Sequence, residues 1–137
     1  MNVPDIRAAL LAQVKAALDD KWSVSKLPQP METVNPPVAF VGWPEQIVYS
    51  QRLNGSATMV VPIELVVAEA TDADAGDTLG LLVSTGVPGS LVDALNVRAS
   101  DMPWRNLNIP NVGQMGARPI GPSQFTTATL FARIATH

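Results

Sequence analysis

Apolar side chains recur at every third or fourth position near the start of the chain. The residues with this spacing are Ile6, Leu10, Leu11, Val14 and Leu18. Such spacing places them along one stripe of a helix, with the charged residues mostly off the stripe. Pro4 suits a first helical turn because its missing N–H would have no partner there. The pattern predicts an amphipathic helix from about Pro4 to Asp20 that packs on the rest of the protein.

Strand-like patterns follow this helix. Trp22–Leu27 alternates, which predicts a short strand that Pro28 and Pro30 bring to an end. Val38–Trp43 is continuously apolar, a pattern typical of a strand that is covered on both faces. A proline-rich loop connects the two predicted strands.

A predicted β-hairpin comes next. Gln46–Leu53 and Ala57–Ala68 are strand-like, and Asn54-Gly55 lies between them. Asn-Gly is a favoured two-residue hairpin turn because both positions tolerate positive φ. Pro62 removes one backbone donor from the second arm, so we expect an edge, a bulge or a bend near it.

The middle of the chain predicts two short helices. An aspartate-rich loop over residues 72–77 leads into an apolar helix from Thr78 to Val83. Gly86 and Pro88 then favour a helix stop, with Gly86 in the left-handed conformation. Ser90 is a candidate N-cap for the second helix, and Asp93 follows it at the spacing of a capping box. Leu91, Val92 and Leu95 are predicted to face inward.

Strand patterns return at the end of the chain. Asn106–Gly113 and Gln124–Thr136 are predicted to be the final strands, with Gln114–Ser123 as a loop between them. Helices and strands in this order predict an α+β fold: a mainly antiparallel sheet with a long hairpin, one long N-terminal helix and two short helices packed on it. At 137 residues, we expect residues 1–137 to form a single domain.

The composition narrows the classes of function. Charged residues make up 15% of the chain, against roughly 25% in ordinary soluble domains, so we expect partners or further copies to cover part of the surface. The alternative is a neutral surface rich in Ser, Thr, Asn and Pro.

The net charge is −3 and the basic residues are scattered, which does not favour nucleic-acid binding. The longest apolar run, Met59–Ala68, is too short for a membrane span, and no signal peptide is predicted.

The sequence contains few candidate catalytic residues, and we expect no enzyme activity, no cofactor and no metal site. There is no cysteine, and the only histidine is the terminal His137, so the serines have no evident base to activate them. Asp72, Asp74 and Asp77 fail the calcium-loop spacing, because Gly76 and Val83 stand at the fifth and twelfth positions. A role in starting the next helix is the interpretation that we favour for these aspartates.

The order of elements resembles the small tail terminator proteins of long-tailed bacteriophages, especially phages that infect actinobacteria. The segments that carry the resemblance are the helix Pro4–Asp20, the Pro-Pro-Val-Ala-Phe-Val strand Pro36–Val41, the hairpin Tyr49–Val67, the loop Asp72–Asp77, the Gly-Ser-Leu-Val-Asp-Ala-Leu segment Gly89–Leu95 and the closing strand Thr127–Ala135. Together these segments cover nearly the whole chain. Related neck and tail-completion proteins share much of the pattern.

The resemblance implies a virion structural protein at the junction of the tail tube and the head connector, assembled in the host cytoplasm. It implies a homo-oligomeric ring, commonly a homohexamer, that ends tube polymerisation and meets the tail-tube and head–tail connector proteins. We expect no membrane partner and no nucleic-acid specificity. The candidate interface residues are Arg52, Asn54, Gly55, Val60, Met102 and Trp104.

Four alternatives remain open at the level of sequence. Trp104 could instead be a core residue that anchors a loop. The protein could be another connector or tail-completion protein, or a subunit of the tail tube itself. More distant alternatives are a monomeric binding module and an enzyme that uses carboxylates alone.

Overall fold

The computed structural model describes residues 2–30, 34–49, 56–96 and 102–136. The elements formed by these residues are α1 (Val3–Ala17), β1 (Ser23–Ser25), β2 (Val38–Val41), β3 (Gln46–Tyr49), β4 (Ala57–Glu69), α2 (Ala75–Val83), α3 (Leu91–Leu95), β5 (Asn106–Ile120) and β6 (Ser123–Ala135). The six strands form one sheet in the order β1-β2-β4-β6-β5, and β3 also pairs with β4. Only β1 and β2 are parallel to each other. The predicted α+β class with a mainly antiparallel sheet is confirmed.

The N-terminal helix has the predicted apolar stripe. Ile6, Leu10 and Val14 are buried, and the side chain of Asn2 caps the helix by accepting a hydrogen bond from the Asp5 amide at 3.2 Å. The helix ends at Ala17, three residues before the predicted end. Within the described residues, no helix is both long enough and apolar enough to cross a bilayer.

All three helices pack on one face of the sheet, which we call the helical face. α1 contacts β1 and β2, α2 contacts β4 and β6, and α3 contacts β5. The main core lies between these layers, because alternate residues of the two central strands point toward the helices. Those residues are Met59, Val61, Ile63 and Leu65 of β4 and Ala128, Leu130, Ala132 and Ile134 of β6. The opposite side of the sheet is the open face.

The proline in the long strand lies opposite a break in its neighbour. β4 is a central strand, yet its partner on one side changes from β2 to β3 at residues 42–45. The Gly42 amide donates to the Pro62 carbonyl at 2.8 Å, and the Glu45 amide donates to the Val60 carbonyl at 3.0 Å. The missing N–H of Pro62 therefore lies on the side where β2 gives way to β3, whereas β6 pairs regularly on the other side. The expected irregularity lies in the neighbouring chain.

The two predicted hairpin arms pair with each other, but not in the register that a two-residue turn at Asn54-Gly55 sets, which would place Tyr49 opposite Val60. Gln46 lies opposite Val60 and Tyr49 lies opposite Ala57, in antiparallel register. The predicted turn residues Asn54 and Gly55 lie outside the described residues. The two arms are unequal, because β3 has 4 residues and β4 has 13.

The predicted loop over Gln114–Ser123 is wrong. β5 continues to Ile120 and β6 begins at Ser123, so only Gly121 and Pro122 separate them. The register between these strands shifts from Asn108 to Asn111 and again from Gly113 to Gly116. Such irregularities absorb extra residues while pairing continues on both sides. Gly116 and Pro119, which suggested a loop, therefore lie within an irregular strand.

The first short helix forms where the sequence predicts one, but its start and its hydrogen bonds differ from the prediction. α2 starts at Ala75, earlier than expected, and Asp74 at its N-cap makes no side-chain capping bond. Asp72 instead accepts from the Asp74 amide at 2.9 Å.

At the start of α3, Ser90 caps as predicted, accepting from the Asp93 amide at 3.2 Å. The predicted capping box is incomplete, since the Asp93 carboxylate accepts from the Gly86 amide at 2.7 Å. Gly86 has the predicted left-handed conformation, with φ of 74°.

Candidate assembly surface

The open face of the sheet carries a mixture of apolar and hydroxyl side chains. The β4 residues that alternate with the core positions are Thr58, Val60, Pro62, Glu64 and Val66. In the described part of the chain, all helix contacts with the sheet fall on the other face. Because Val66 is already fully buried on this face, the part around Thr58, Val60 and Pro62 is where the sheet can meet a partner.

The three candidate interface residues that the structure describes, Val60, Met102 and Trp104, do not come together. Val60 is half-buried on the open face, between Gln46 of β3 and Arg133 of β6. Met102 is half-buried against the main core on the helical side, where its sulfur accepts from Gln13 Nε2 at 3.6 Å. Arg52, Asn54 and Gly55 lie outside the described residues.

Trp104 belongs to the main core in this chain. Its exposed fraction is 6%, which leaves little of the ring available to a neighbouring molecule. The next residue, Arg105, donates its amide to the Ala135 carbonyl at 2.8 Å. Trp104 thus anchors the segment that leads into β5, and its burial favours the core interpretation.

Two exposed apolar residues on β3 were missed by the sequence analysis. Val48 is 56% exposed and Tyr49 is 65% exposed, whereas Ile47 packs against the main core. Neighbouring strand residues point to opposite faces, so the apolar run Ile-Val-Tyr must present at least one member away from the core. That run was the signal in the sequence.

The outer edges of β3 and β5 are unpaired among the described residues. Gln46–Tyr49 contains no charged residue, and neither does Asn106–Ala117. Proteins usually protect such edges with charges, prolines or bulges. β5 has prolines and bulges along its length, whereas β3 has none of these devices.

The ends of β5 and β6 form an arm that is tied to the open face by an ion pair. Arg118 pairs with Glu64, whose side chain is only 12% exposed, while that of Arg118 is 44% exposed. Solvent screens the charge of the partly exposed arginine. Removing the arginine would still destabilise the protein, because the largely buried Glu64 carboxylate would lose its ion-pair partner. The ion pair therefore holds the arm against the middle of the sheet.

A second, smaller apolar cluster also holds this arm. Ile120 and Phe125 pack with Val38, Phe40 and Val66 on the open face. A groove of about 560 Å³ lies beside the arm's turn and is lined in part by Val34 and Glu69. The arm is thus fixed at two points.

Arg7 joins the first helix to the sheet. Its guanidinium donates to the Val41 carbonyl at 2.7 and 3.1 Å and to the Lys26 carbonyl at 3.0 Å. It also lies 4.8 Å from the ring centroid of Trp43. Trp43 is half exposed, and the cation on its face gives the ring a structural role.

The two ends of the central strands differ in charge. At the end where β4 finishes, Asp19, Asp72 and Asp74 line a groove of about 270 Å³ together with Lys21 and Trp22. At the opposite end lie Arg105 and Arg133, with Glu45 beside them. Across the described ranges, no group of three or more His, Cys, Asp or Glu residues could hold a metal ion.

The surface therefore combines the unpaired edges of β1, β3 and β5, an arm fixed to the open face, and ends of unlike charge. No protein-family model matches this chain, and no curated protein matches it either.

Proposed function

We propose that this chain is a virion structural protein that caps the tail tube of a long-tailed phage. It acts as a homo-oligomeric ring, of six copies by analogy with tail terminators. The ring ends tube polymerisation and offers a surface for head–tail joining. The resemblance in the order of elements supports this proposal, and so does the α+β fold with its helices on one face of a mainly antiparallel sheet.

The observation that carries the proposal is the pair of unpaired strand edges on opposite margins of one sheet. β3 lies on one margin and β5 on the other, so a contact between them joins two different surfaces of neighbouring copies. Such head-to-tail contacts repeat from copy to copy, and they close into a ring when the rotation between copies is a fraction of a full turn. Closure covers the β3 and β5 edges of every copy.

The unlike ends of the subunit fit a cap that meets two different partners. Three aspartates lie at the end where β4 finishes, and two arginines lie at the other end. Copies related by a ring axis that runs along the strands present the same end on the same side. One face of the ring is then more acidic than the other, which suits contact with the tube on one side and the head connector on the other.

Mass photometry and negative-stain imaging of the purified protein, alone and with tail tubes of the phage that encodes it, test the proposal. We expect rings of defined mass at one end of each tube and no growth of the tube beyond them. A protein that stays monomeric both alone and with tubes would contradict the proposal. Unlimited polymerisation would instead identify a tube subunit.

Val60→Asp tests whether the open face takes part in assembly. Val60 is half-buried and lies beside Arg133, so an aspartate there has a cationic neighbour and we expect folding to survive. If Val60 lies at the interface, ring formation should weaken while the circular dichroism spectrum is unchanged. Leu81→Asp is the matched control, because Leu81 is exposed on α2, away from the open face.

A further inference from the structure

We infer that β3 of one copy pairs antiparallel with β5 of the next copy, so that one continuous sheet runs around the assembly. The inference rests on the proposed ring and names the segments that close it: Gln46–Tyr49 on one side and the first residues of β5, Asn106–Asn108, on the other.

The strand directions support this pairing. β3 is antiparallel to β4, β4 to β6, and β6 to β5, so β3 and β5 run in opposite directions within one copy. Rotation about an axis along the strands keeps every strand direction the same in the next copy. The edge of β5 therefore meets the edge of the next β3 in antiparallel orientation, which gives the slightly more stable ladder.

The two segments also lie at the same height in the sheet. Val48 lies opposite Thr58, Thr58 opposite Ala135, and Ala135 opposite Asn106. Two residues further along the strands, the same relation connects Gln46 with Asn108 through Val60 and Arg133. Without any shift between copies, Val48 would face Asn106 of its neighbour. The strands of a closed sheet are tilted, so neighbouring copies are shifted along the strands by whole pleats of two residues. With a shift of one pleat, Val48 would face Asn108.

The lengths of the two edges match. β3 is 4 residues long, and regular pairing of β5 with β6 runs from Asn106 to Asn108 before the register shifts. Pro110 follows within that shifted region and cannot donate to a ladder. The beginning of β5 is therefore a regular stretch that can accept another strand, and it lies where β3 can reach it.

The chemistry of the edges fits a second copy. Neither Gln46–Tyr49 nor Asn106–Asn108 carries a charge, so the two edges approach without like-charge repulsion. Val48 and Tyr49 are more than half exposed in the single chain, and a strand added beside β3 covers them. Strand addition to an exposed edge supplies main-chain hydrogen bonds, while the side chains supply specificity.

Disulfide trapping tests the pairing directly, because the natural chain contains no cysteine. The test variants are Val48→Cys/Asn106→Cys and Val48→Cys/Asn108→Cys, one for each register. We expect one of them to form intermolecular disulfides under mild oxidation, giving a ladder of covalent oligomers up to the closed ring. Leu81→Cys/Asn106→Cys is the control and should give no ladder, because Leu81 lies on α2.

Val48→Lys gives a second, non-covalent test. Lysine on a strand edge opposes edge-to-edge association, and Val48 is exposed enough in the single chain for folding to survive. We expect the association constant to fall by roughly tenfold or more, which corresponds to about 1.4 kcal/mol, with an unchanged circular dichroism spectrum. Leu81→Lys should associate like the natural chain.

The outcomes separate this inference from the proposed function. Rings that cap tubes but form no disulfide in either register would overturn the β3–β5 pairing and leave the function intact. Disulfide-linked rings that fail to cap tubes would support the pairing and count against the function. A chain that stays monomeric under oxidation at its highest soluble concentration would overturn the pairing.

Discussion

Gly42 and Pro62 touch so closely that a side chain on the glycine has no room. A Cβ atom built on Gly42 would lie 2.7 Å from Cγ of Pro62, and the Gly42 amide donates to the Pro62 carbonyl at 2.8 Å. The contact lies where the neighbour of β4 changes from β2 to β3. The glycine thus lets the chain pass close to the proline ring at the break in the sheet.

Gly42→Ala should destabilise the protein by about 1–3 kcal/mol, the usual cost of forcing extra atoms into a packed site. Gly80→Ala is the matched control. Gly80 lies inside α2 with open space around it, so alanine there should stabilise by about 0.5–1 kcal/mol through its helix propensity. Urea unfolding measures both changes. Equal stability of Gly42→Ala and the natural protein would contradict the close contact.

Removing Arg118 should cost more stability than neutralising Glu64. Arg118→Met leaves a largely buried carboxylate without its partner, whereas Glu64→Gln removes the charge itself. Because Arg118 is partly exposed, we expect a loss of about 1 kcal/mol for Arg118→Met. The double variant Glu64→Gln/Arg118→Met should be more stable than Arg118→Met alone. Additive losses in denaturant unfolding would show that the two residues are not coupled.

Thr136→Val should destabilise the end of the sheet. The Thr136 hydroxyl accepts from the Ala57 amide at 2.8 Å and donates to the Ala57 carbonyl at 3.2 Å, and the residue is 2% exposed. Valine has nearly the same shape but leaves a buried N–H without this partner, at a cost of about 1–3 kcal/mol. Thr136→Ser keeps the hydroxyl and should lose less. Thermal unfolding compares the two, and a more stable Val variant would rule out this role.

Ser90→Ala should lower stability by about 1–2 kcal/mol, the range for a lost helix N-cap. Besides capping α3, the buried Ser90 hydroxyl donates to the Ser84 carbonyl, so it also connects the two short helices. Ser84→Ala is the control, since the Ser84 hydroxyl donates only to the Gly80 carbonyl one turn back in α2. If urea unfolding shows the same loss of unfolding free energy for both variants, the hydrogen bonds of Ser90 contribute no more to stability than that of Ser84.

The sequence by itself determined the elements whose patterns are local. The apolar stripe of α1, the fully buried β2, the pairing of the two hairpin arms and the cap at Ser90 agree with the prediction, whereas the register of the hairpin does not. These features depend on spacing within one segment or on a single backbone bond. Interactions of that range are visible in the order of residues, so the fold class could be inferred.

Only the tertiary structure decided the features that depend on distant partners. Residues 114–120 have a glycine and a proline that favour a loop, yet pairing with β6 keeps them in a strand by placing the excess residues in bulges. Pro62 lies in a central strand because the chain beside it is broken at Gly42. Val48 and Tyr49 became an exposed edge because no described strand lies beyond β3. Each outcome depends on which segments become neighbours in space, and local propensity does not encode that choice.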